Sequence, residues 1–162
     1  MPEISIRPAT AADVRVFAGW RHQAPYDVYD ITQPVDDAVE YFLRPATNCH
    51  VIEAGGELAG FMTFGTDAQV PGGDYTGAGL DIGLGMKPSL TGRGLGSAFV
   101  RSVIGFAREA FEERPLRVTI AALNQRALRV WSGCGFTETQ QFTASEAVLG
   151  SDRFMVLEDG GA

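Results

Sequence analysis

Apolar and polar residues recur with two different periods along the chain, and these periods predict seven strands and four helices. Alternation with period two, or a short apolar run bounded by turn residues, predicts a strand. The predicted strands are Ile4–Ile6, Val51–Ala54, Glu57–Thr66, Gly79–Met86, Leu116–Ala121, Phe136–Gln141 and Arg153–Glu158. Apolar residues spaced three and four apart predict helices that begin after Thr10 and then span Pro34–Leu43, Gly94–Phe111 and Asn124–Cys134.

The order of these elements is β-α-α-β-β-β-α-β-α-β-β, which indicates an α/β (α+β) fold. Strand–helix–strand units in the middle of the chain predict parallel pairing, and hairpins at its flanks predict antiparallel pairing, so we expect a mixed central sheet. Residues 67–79 hold several glycines and are expected to form a mobile loop. Neither a repeat nor a low-complexity tract divides residues 1–162, which predicts a single domain.

The composition is that of a globular protein. Of the 162 residues, 45% are hydrophobic and 20% are charged, and the mean hydropathy is +0.01. These values exclude a disordered chain or a coiled coil. No apolar run approaches the roughly 18 residues that a membrane span needs, and Met1-Pro2-Glu3 lacks the basic start of a signal peptide. We therefore expect a cytoplasmic protein without a membrane partner, in which Cys49 and Cys134 are free thiols.

The acidic charge is concentrated in the first half of the chain. The whole formal net charge of −7 belongs to residues 1–80, and the acids and bases of residues 81–162 balance. Such a surface would repel a phosphate backbone, which argues against a nucleic-acid partner. Two interpretations stay open: the first half binds a cationic ligand while the second accepts an anion, or the surface acids only aid solubility.

A glycine-rich turn between a strand and the longest helix is the most informative segment. In Leu84–Ser97 the strand ends, Gly92, Gly94 and Gly96 alternate, and the helix begins. Glycines let successive backbone N–H groups converge, and the first helical turn adds unpaired donors and the positive end of the helix dipole. The turn therefore predicts a phosphate or diphosphate site, unless it is a turn without a ligand. It lacks the Gly-Lys-Ser/Thr of a P-loop, and its spacing disfavours a dinucleotide-binding oxidoreductase.

Two motifs make this segment more specific. Residues 91–96 read Thr-Gly-Arg-Gly-Leu-Gly. They resemble the acyl-CoA-binding motif of the GNAT superfamily of N-acetyltransferases, Arg/Gln-x-x-Gly-x-Gly/Ala, with Thr91 in place of Arg or Gln. A second motif of that family, Asn-x-x-Ala-x-x-x-Tyr-x-x-x-Gly-Phe, resembles residues 124–136, with Trp131 in place of tyrosine. One helix and one strand separate the two motifs, as they do in the family.

The resemblance implies a single N-acetyltransferase domain in which acetyl-CoA lies where the strands Gly79–Met86 and Leu116–Ala121 splay apart. Backbone groups of the first strand would pair with the pantetheine arm, and N–H groups of the glycine-rich turn would hold the diphosphate with help from Arg93. Asn124 would cap the next helix and contact the cofactor. The implied cofactor-binding residues are Leu84, Gly85, Met86, Thr91, Gly92, Arg93, Gly94, Leu95, Gly96, Ser97, Asn124 and Trp131.

Aminolysis of a thioester needs a group that accepts the proton of the amine and a donor for the leaving thiolate. Strand alternation places Asp81 on the same face as Gly83 and Gly85, against which a ligand could lie, so Asp81 is the predicted base; the alternative is an ion-paired structural residue. The indole of Trp131 is not a practical proton donor and belongs either to the core or to a wall of the cofactor pocket. The remaining donors are Ser132, Cys134, Tyr26, Tyr29, Tyr75 and water. His22 and His50 lie in no paired motif and receive no role.

The family usually builds its acceptor site from the early helices and from the loop before the cofactor-binding strand, where this chain interleaves acids with aromatic residues. Carboxylates and aromatic faces suit a cation, so we expect a small-molecule or peptide amine that is polyamine-like, aminoglycoside-like or part of a basic peptide. The predicted acceptor-binding residues are Trp20, Tyr26, Asp27, Tyr29, Asp30 and Tyr75. Residues 20–30 also resemble the aminoglycoside N-acetyltransferase-like branch, whereas the acids of 36–40 more simply keep a helix face solvated.

A second class of protein fits the same residues. Thr91 and Trp131, which depart from the family pattern, also suit a non-catalytic module that binds acyl-CoA and reports it to a partner protein. Edge strands in the closing hairpin permit a homodimer. No residue pattern predicts a metal site.

Overall fold

The computed structural model of the protein describes residues 3–111, 115–148 and 151–159, and Met1 and Pro2 lie outside this range. The described strands are β1 (Ile4–Pro8), β2 (His50–Ala54), β3 (Glu57–Phe64), β4 (Leu80–Met86), β5 (Leu116–Ala121), β6 (Thr137–Val148) and β7 (Ser151–Glu158). The described α-helices are α1 (Ala11–Phe17), α2 (Val35–Phe42), α3 (Gly96–Ala110) and α4 (Gln125–Gly133). The predicted order of strands and helices is confirmed.

The seven strands form one mixed sheet in the order β1-β2-β3-β4-β5-β7-β6. All neighbours are antiparallel except β4 and β5, which are parallel and are connected through α3. A parallel connection needs such a crossover, whereas antiparallel neighbours can be joined by tight hairpins. The predicted mixed sheet is therefore present, with its parallel pair in the middle.

Strand β6 extends beyond Gln141, where its alternation was predicted to end. Beyond Gln141 the hairpin with β7 continues through the pairs Phe142–Phe154 and Thr143–Arg153, and both phenylalanine and threonine favour strands. Pairing with a neighbouring strand therefore sets the length of β6.

Alternate residues of each strand point to opposite faces of the sheet, and each face is covered by two helices. On one face Met62 and Val118 pack with α3 and α4 in the main core. On the other face the ring of Phe61 stacks on Phe17 of α1, with centroids 4.1 Å apart, and meets Phe42 of α2 edge-on. The sheet alternation predicted from the sequence thus divides the core into two layers.

Helix α1 begins at Ala11 because Thr10 caps it. The Thr10 hydroxyl accepts from the N–H of Asp13, and the Asp13 carboxylate accepts from the N–H of Thr10 at 2.8 Å. Arg7, at the end of β1, donates to the same carboxylate at 2.6 Å. The hydrogen bond from Arg7 lowers the pKa of Asp13 to about 2. This contact ties the first helix to the edge of the sheet.

Candidate active site

The two parallel strands in the middle of the sheet separate before they end. β4 and β5 are paired from Leu80 and Leu116 to Ile82 and Val118. Beyond that level β4 remains paired with β3, while β5 remains paired with β7. The predicted splay is therefore present, and it leaves an opening whose walls are the carboxyl-terminal parts of β4 and β5.

The backbone of β4 presents hydrogen-bonding groups to this opening. The N–H of Lys87 donates to a β3 carbonyl at 2.8 Å, and the carbonyl of Asp81 accepts from the N–H of the residue that follows β3, at 2.9 Å. Because alternate residues of an antiparallel ladder face opposite sides, Leu84 and Met86 turn their N–H and C=O groups away from β3 and toward the opening. The prediction for Gly85 as a backbone partner is wrong, since its N–H and C=O face β3.

The glycine-rich turn follows β4 and leads into α3, and among the described residues no group of the protein accepts a hydrogen bond from the N–H groups of residues 92–95. Gly92 and Gly94 have φ angles of 71° and 76°, which L-residues adopt only with strain. Helix α3 follows with Leu95 as N-cap, and within the described ranges no side chain caps it, in contrast to α1 and α4. Its first amides and the positive end of its dipole therefore remain available to an anion.

The side chains of the turn are placed differently from one another. The hydroxyl of Thr91 donates to the carbonyl of Pro88 at 2.8 Å, so it shapes the turn itself. Arg93 is exposed and, with Lys87, lines a cavity of about 260 Å³ between the turn and the β2–β3 hairpin. Leu95 packs against the main core, and Ser97 is half-buried in the first turn of α3. The structure thus brings residues 91–97 together at one mouth of the opening.

Asp81 does not face a ligand cavity. Its carboxylate is buried and accepts from Arg117 at 2.7 and 2.9 Å and from Gln69 at 2.8 Å. The hydrogen bond to Asp81 raises the pKa of Arg117. Both carboxylate oxygens are committed to donors, so the prediction of Asp81 as general base is contradicted by the ion pair.

The face of β4 that carries Asp81 is also covered by the protein. A methyl group at Gly85 would lie 2.4 Å from the ring of Phe61, and one at Gly83 would lie 2.6 Å from the hydroxyl of Thr63. These glycines make room for side chains of β3. The expectation that a ligand lies against this face is therefore wrong, because the neighbouring strand fills it.

The glycine-containing segment 67–79, predicted to be a mobile loop, forms hydrogen bonds with this ion pair. The carbonyls of Tyr75 and Thr76 accept from Arg117 at 3.1 and 3.0 Å. The hydroxyl of Tyr75 accepts from the N–H of Val70 at 3.0 Å and lies 2.8 Å from the hydroxyl of Thr119. The guanidinium of Arg117 also lies 5.3 Å from the ring centroid of Tyr75. The ring of Tyr75 thus contacts the guanidinium of Arg117 and not a bound amine, so its prediction as an acceptor-binding residue is wrong.

The segment between α1 and α2 contacts β4, which forms one wall of the opening, through His22. His22 places Nδ1 2.9 Å from the Asp30 carboxylate and Nε2 3.1 Å from the carbonyl of Met86, which faces the opening. The same carboxylate accepts from the N–H of His22 at 3.0 Å. Asp30 is therefore a structural partner of His22 and not an acceptor-binding residue. Sequence reasoning gave His22 no role, because its partners are distant in sequence or belong to the backbone.

The same segment also contacts residues that follow β5, the other wall of the opening, through two tyrosines of the 3₁₀ turn Tyr26–Tyr29. The amide of Asn124 donates to the hydroxyl of Tyr29 at 3.2 Å and accepts from the N–H of Ala127 at 3.1 Å. Burial raises the pKa of Tyr29. The guanidinium of Arg126 lies 3.8 Å from the ring centroid of Tyr26. The capping role of Asn124 is thus confirmed, and a second interaction with Tyr29 is added.

Three further predicted residues differ in exposure. Trp131 is 5% exposed and packs edge-on against Phe136 at 4.9 Å in the main core. The structure therefore assigns it to packing and corrects its prediction as a cofactor contact. Trp20 is half-buried against Phe17, whereas Asp27 is exposed on the 3₁₀ turn. Of the predicted acceptor-binding carboxylates, Asp27 alone is thus directed to solvent.

The described part of the chain contains no helix long and apolar enough to cross a membrane. Among those same residues, no group of three or more histidine, cysteine, aspartate or glutamate side chains could hold a metal ion. Cys49 is a buried free thiol, and Cys134 is a half-buried free thiol.

Comparisons with known proteins agree with this geometry. The model of the acetyltransferase (GNAT) family matches residues 14–136. A search of curated proteins gave no match. Spermidine N-acetyltransferase from Vibrio cholerae, solved in complex with CoA and spermine, is 14% identical; the match covers 96% of this chain and 94% of that one, with a TM-score of 0.76. The yncA protein of Salmonella typhimurium, solved with its cofactor acetyl-CoA, is 19% identical over 96% and 92% of the two chains, with a TM-score of 0.65.

The two structural likenesses show the fold, and the family model, which spans most of the chain, shows the family. The protein belongs to the acetyltransferase (GNAT) family. The family, the fold and the enzyme class predicted from the sequence, an acetyltransferase, are confirmed.

Proposed function

We propose that this enzyme transfers the acetyl group of acetyl-CoA to the primary amine of a small cationic or basic-peptide acceptor. One observation carries the proposal: the backbone edge of β4 at Leu84 and Met86 faces the opening, and the turn that follows offers the N–H groups of residues 92–95, from which no described group of the protein accepts a hydrogen bond. The carbonyl of Met86 contacts Nε2 of His22, so the free groups of this edge are the N–H and C=O of Leu84 and the N–H of Met86. Such an edge pairs with an extended arm, and such amides bind an anion. Acetyl-CoA has this form, with an extended pantetheine arm between a thioester and a diphosphate.

The proposed reaction is direct aminolysis. The amine nitrogen attacks the thioester carbonyl carbon, the carbon–sulfur bond breaks, and the sulfur leaves as a thiolate. The N–H of Leu84, directed into the opening, is the proposed donor to the oxygen that becomes negative during attack. Because the carboxylate of Asp81 is committed to Arg117, the proton of the amine passes to another group or to water.

Charge supports a cationic acceptor. The first half of the chain carries the whole net charge of −7, and the exposed Asp27 lies on the 3₁₀ turn whose tyrosines dock at the opening. The spermidine N-acetyltransferase with the same fold was solved with spermine, a polyamine. Carboxylates near the site would raise the local concentration of such a cation.

The experiment that tests this proposal measures thiol release from acetyl-CoA with spermidine, an aminoglycoside, a lysine-containing peptide and a neutral primary amine. We expect turnover with the cationic amines. Asp27→Asn should raise KM for the cationic amine and leave the Kd of CoA unchanged. Asp37→Asn, which removes an exposed carboxylate from α2, is the matched control. Turnover with the neutral amine alone, or equal KM changes in both variants, would contradict the cationic acceptor.

A second candidate function is a non-catalytic module that binds acyl-CoA. The observation in its favour is that the predicted base is not available, because Asp81 is ion-paired, and that the position of the family's tyrosine is held by Trp131, which lies in the core. The same assay separates the two: binding of acetyl-CoA without turnover of any amine supports the module, and turnover excludes it.

A further inference from the structure

Arg126 lies beside the glycine-rich turn, although neither family motif assigns it a role. It belongs to the first turn of α4, where its guanidinium lies 3.8 Å from the ring centroid of Tyr26. A methyl group at Gly92 would lie 3.0 Å from Nη1 of Arg126. The guanidinium therefore lies between an aromatic ring and the glycine-rich turn.

The charge of Arg126 is not balanced by a carboxylate. In the described segments no carboxylate forms an ion pair with it, whereas Arg7, Arg108 and Arg117 each bind an aspartate. Arg126 is half-buried, and it lies beside a turn whose N–H groups have no acceptor among the described residues and beside the positive end of the α3 dipole. These groups carry the same sign, so their proximity is unfavourable until an anion lies between them.

The family motif has a gap at the same place. Its first position, usually Arg or Gln, is Thr91, whose hydroxyl donates to the carbonyl of Pro88. Thr91 therefore brings no charge to the turn. A guanidinium that reaches Gly92 from α4 can supply a planar, two-pronged contact to phosphate oxygens.

We propose that Arg126 binds the diphosphate of the cofactor in place of the cation that Thr91 lacks, and that Tyr26 is a positioning residue that holds the guanidinium over the turn. This inference rests on the proposed use of acetyl-CoA. It also connects the proposed acceptor site to the cofactor, because the ring that orients Arg126 belongs to the 3₁₀ turn Tyr26–Tyr29, which carries Asp27.

The test is calorimetric titration of the intact chain with coenzyme A and with 3′-dephospho-coenzyme A. Arg126→Gln should raise the Kd for both ligands by roughly tenfold to a hundredfold, as expected for a lost charge-assisted contact. The matched control is Arg129→Gln, which removes an exposed charge from the same helix and should leave both Kd values about unchanged. A loss that vanishes with the dephospho ligand assigns Arg126 to the 3′-phosphate and overturns the diphosphate contact.

Tyr26 provides a second readout. Tyr26→Leu removes the ring face, so it should weaken CoA binding several-fold when Arg126 is present and should have no effect in the Arg126→Gln background. Tyr26→Phe keeps the ring and should bind CoA like the unmodified chain. Equal losses in both backgrounds would overturn the positioning role. If Arg126→Gln binds CoA as Arg129→Gln does, this inference fails and the proposed function stands. If the unmodified chain binds no CoA, both fail.

Discussion

Replacing Asp81 with asparagine is expected to destabilise the fold rather than remove a catalytic base. The side chains of Asp81 and Arg117 are only 4% and 6% exposed, and two hydrogen bonds of 2.7 and 2.9 Å join them. Loss of one partner leaves the other charge buried without compensation, which costs about 3–5 kcal/mol in other proteins. For a domain of this size the melting temperature would fall by roughly 6–20 °C. Asparagine retains one acceptor for Arg117, so the lower half of that range is expected for Asp81→Asn and the upper half for Asp81→Ala.

Urea unfolding followed by tryptophan fluorescence measures this effect, and kcat is then measured at a temperature at which every variant remains folded. Asp74→Asn is the matched control, because it removes an exposed carboxylate from the segment that covers the ion pair, and it should change stability little. Replacing Asp81 and Arg117 together with apolar residues should recover most of the loss, since neither charge then remains buried. A variant Asp81→Asn with unchanged stability but a lost kcat, and with the acidic limb of its pH profile removed, would refute this reasoning and restore Asp81 as the base.

Three further outcomes are expected. Asp13→Asn should lower the free energy of unfolding by about 1–2 kcal/mol at pH 7. This loss should vanish as pH falls from about 4 to about 2, because Arg7 lowers the pKa of Asp13 to about 2 and protonation breaks the pair. A constant difference from the unmodified chain in denaturant titrations across that range would contradict this expectation. Burial raises the pKa of Cys49 to about 12, so a thiol reagent near pH 8 should modify at most Cys134 in the native chain and both thiols after unfolding. Gly94→Ala should strain the turn by roughly 1–2 kcal/mol at its φ of 76° and weaken CoA binding, although open space surrounds its Cβ position; unchanged affinity in calorimetry would show that the turn tolerates an L-residue.

Local periodicity was sufficient for most of the fold. The order of strands and helices and the mixed sheet are as predicted, because these elements depend on residues close in sequence: turn glycines, helix caps such as Thr10, and alternation along one strand. The splay between β4 and β5 was expected from the resemblance to the GNAT family, and the strand pairing confirms it. Strand β6 is the exception, since it continues past Gln141 as far as Val148 in its hairpin with β7. Long-range pairing added those residues.

The parts of the candidate site that consist of backbone were predictable from the sequence. The parts that consist of side chains from distant elements were not. The glycine-rich turn and the edge of β4 are consecutive stretches of backbone, so their positions follow from spacing, although alternation within the ladder excludes Gly85. Asp81 was expected to face a ligand, because the sequence shows the absence of bulk at Gly83 and does not show that the hydroxyl of Thr63 occupies that space. Its partner Arg117 is distant in sequence and looked like any other arginine.

The sequence alone was enough to predict the α/β architecture and the glycine-rich turn, since periodicity and glycine spacing encode local backbone conformation. Its two motifs were enough to predict the family, which the family model confirms. The folded structure determines which charged side chains bind other groups of the protein and which remain available to ligands. Asp30 binds His22, Tyr75 lies beside Arg117, and Arg126 reaches the turn from another helix. The physical reason is that a charged side chain acts on whatever lies within a few ångströms of it, and in a folded sheet those neighbours come from remote parts of the chain.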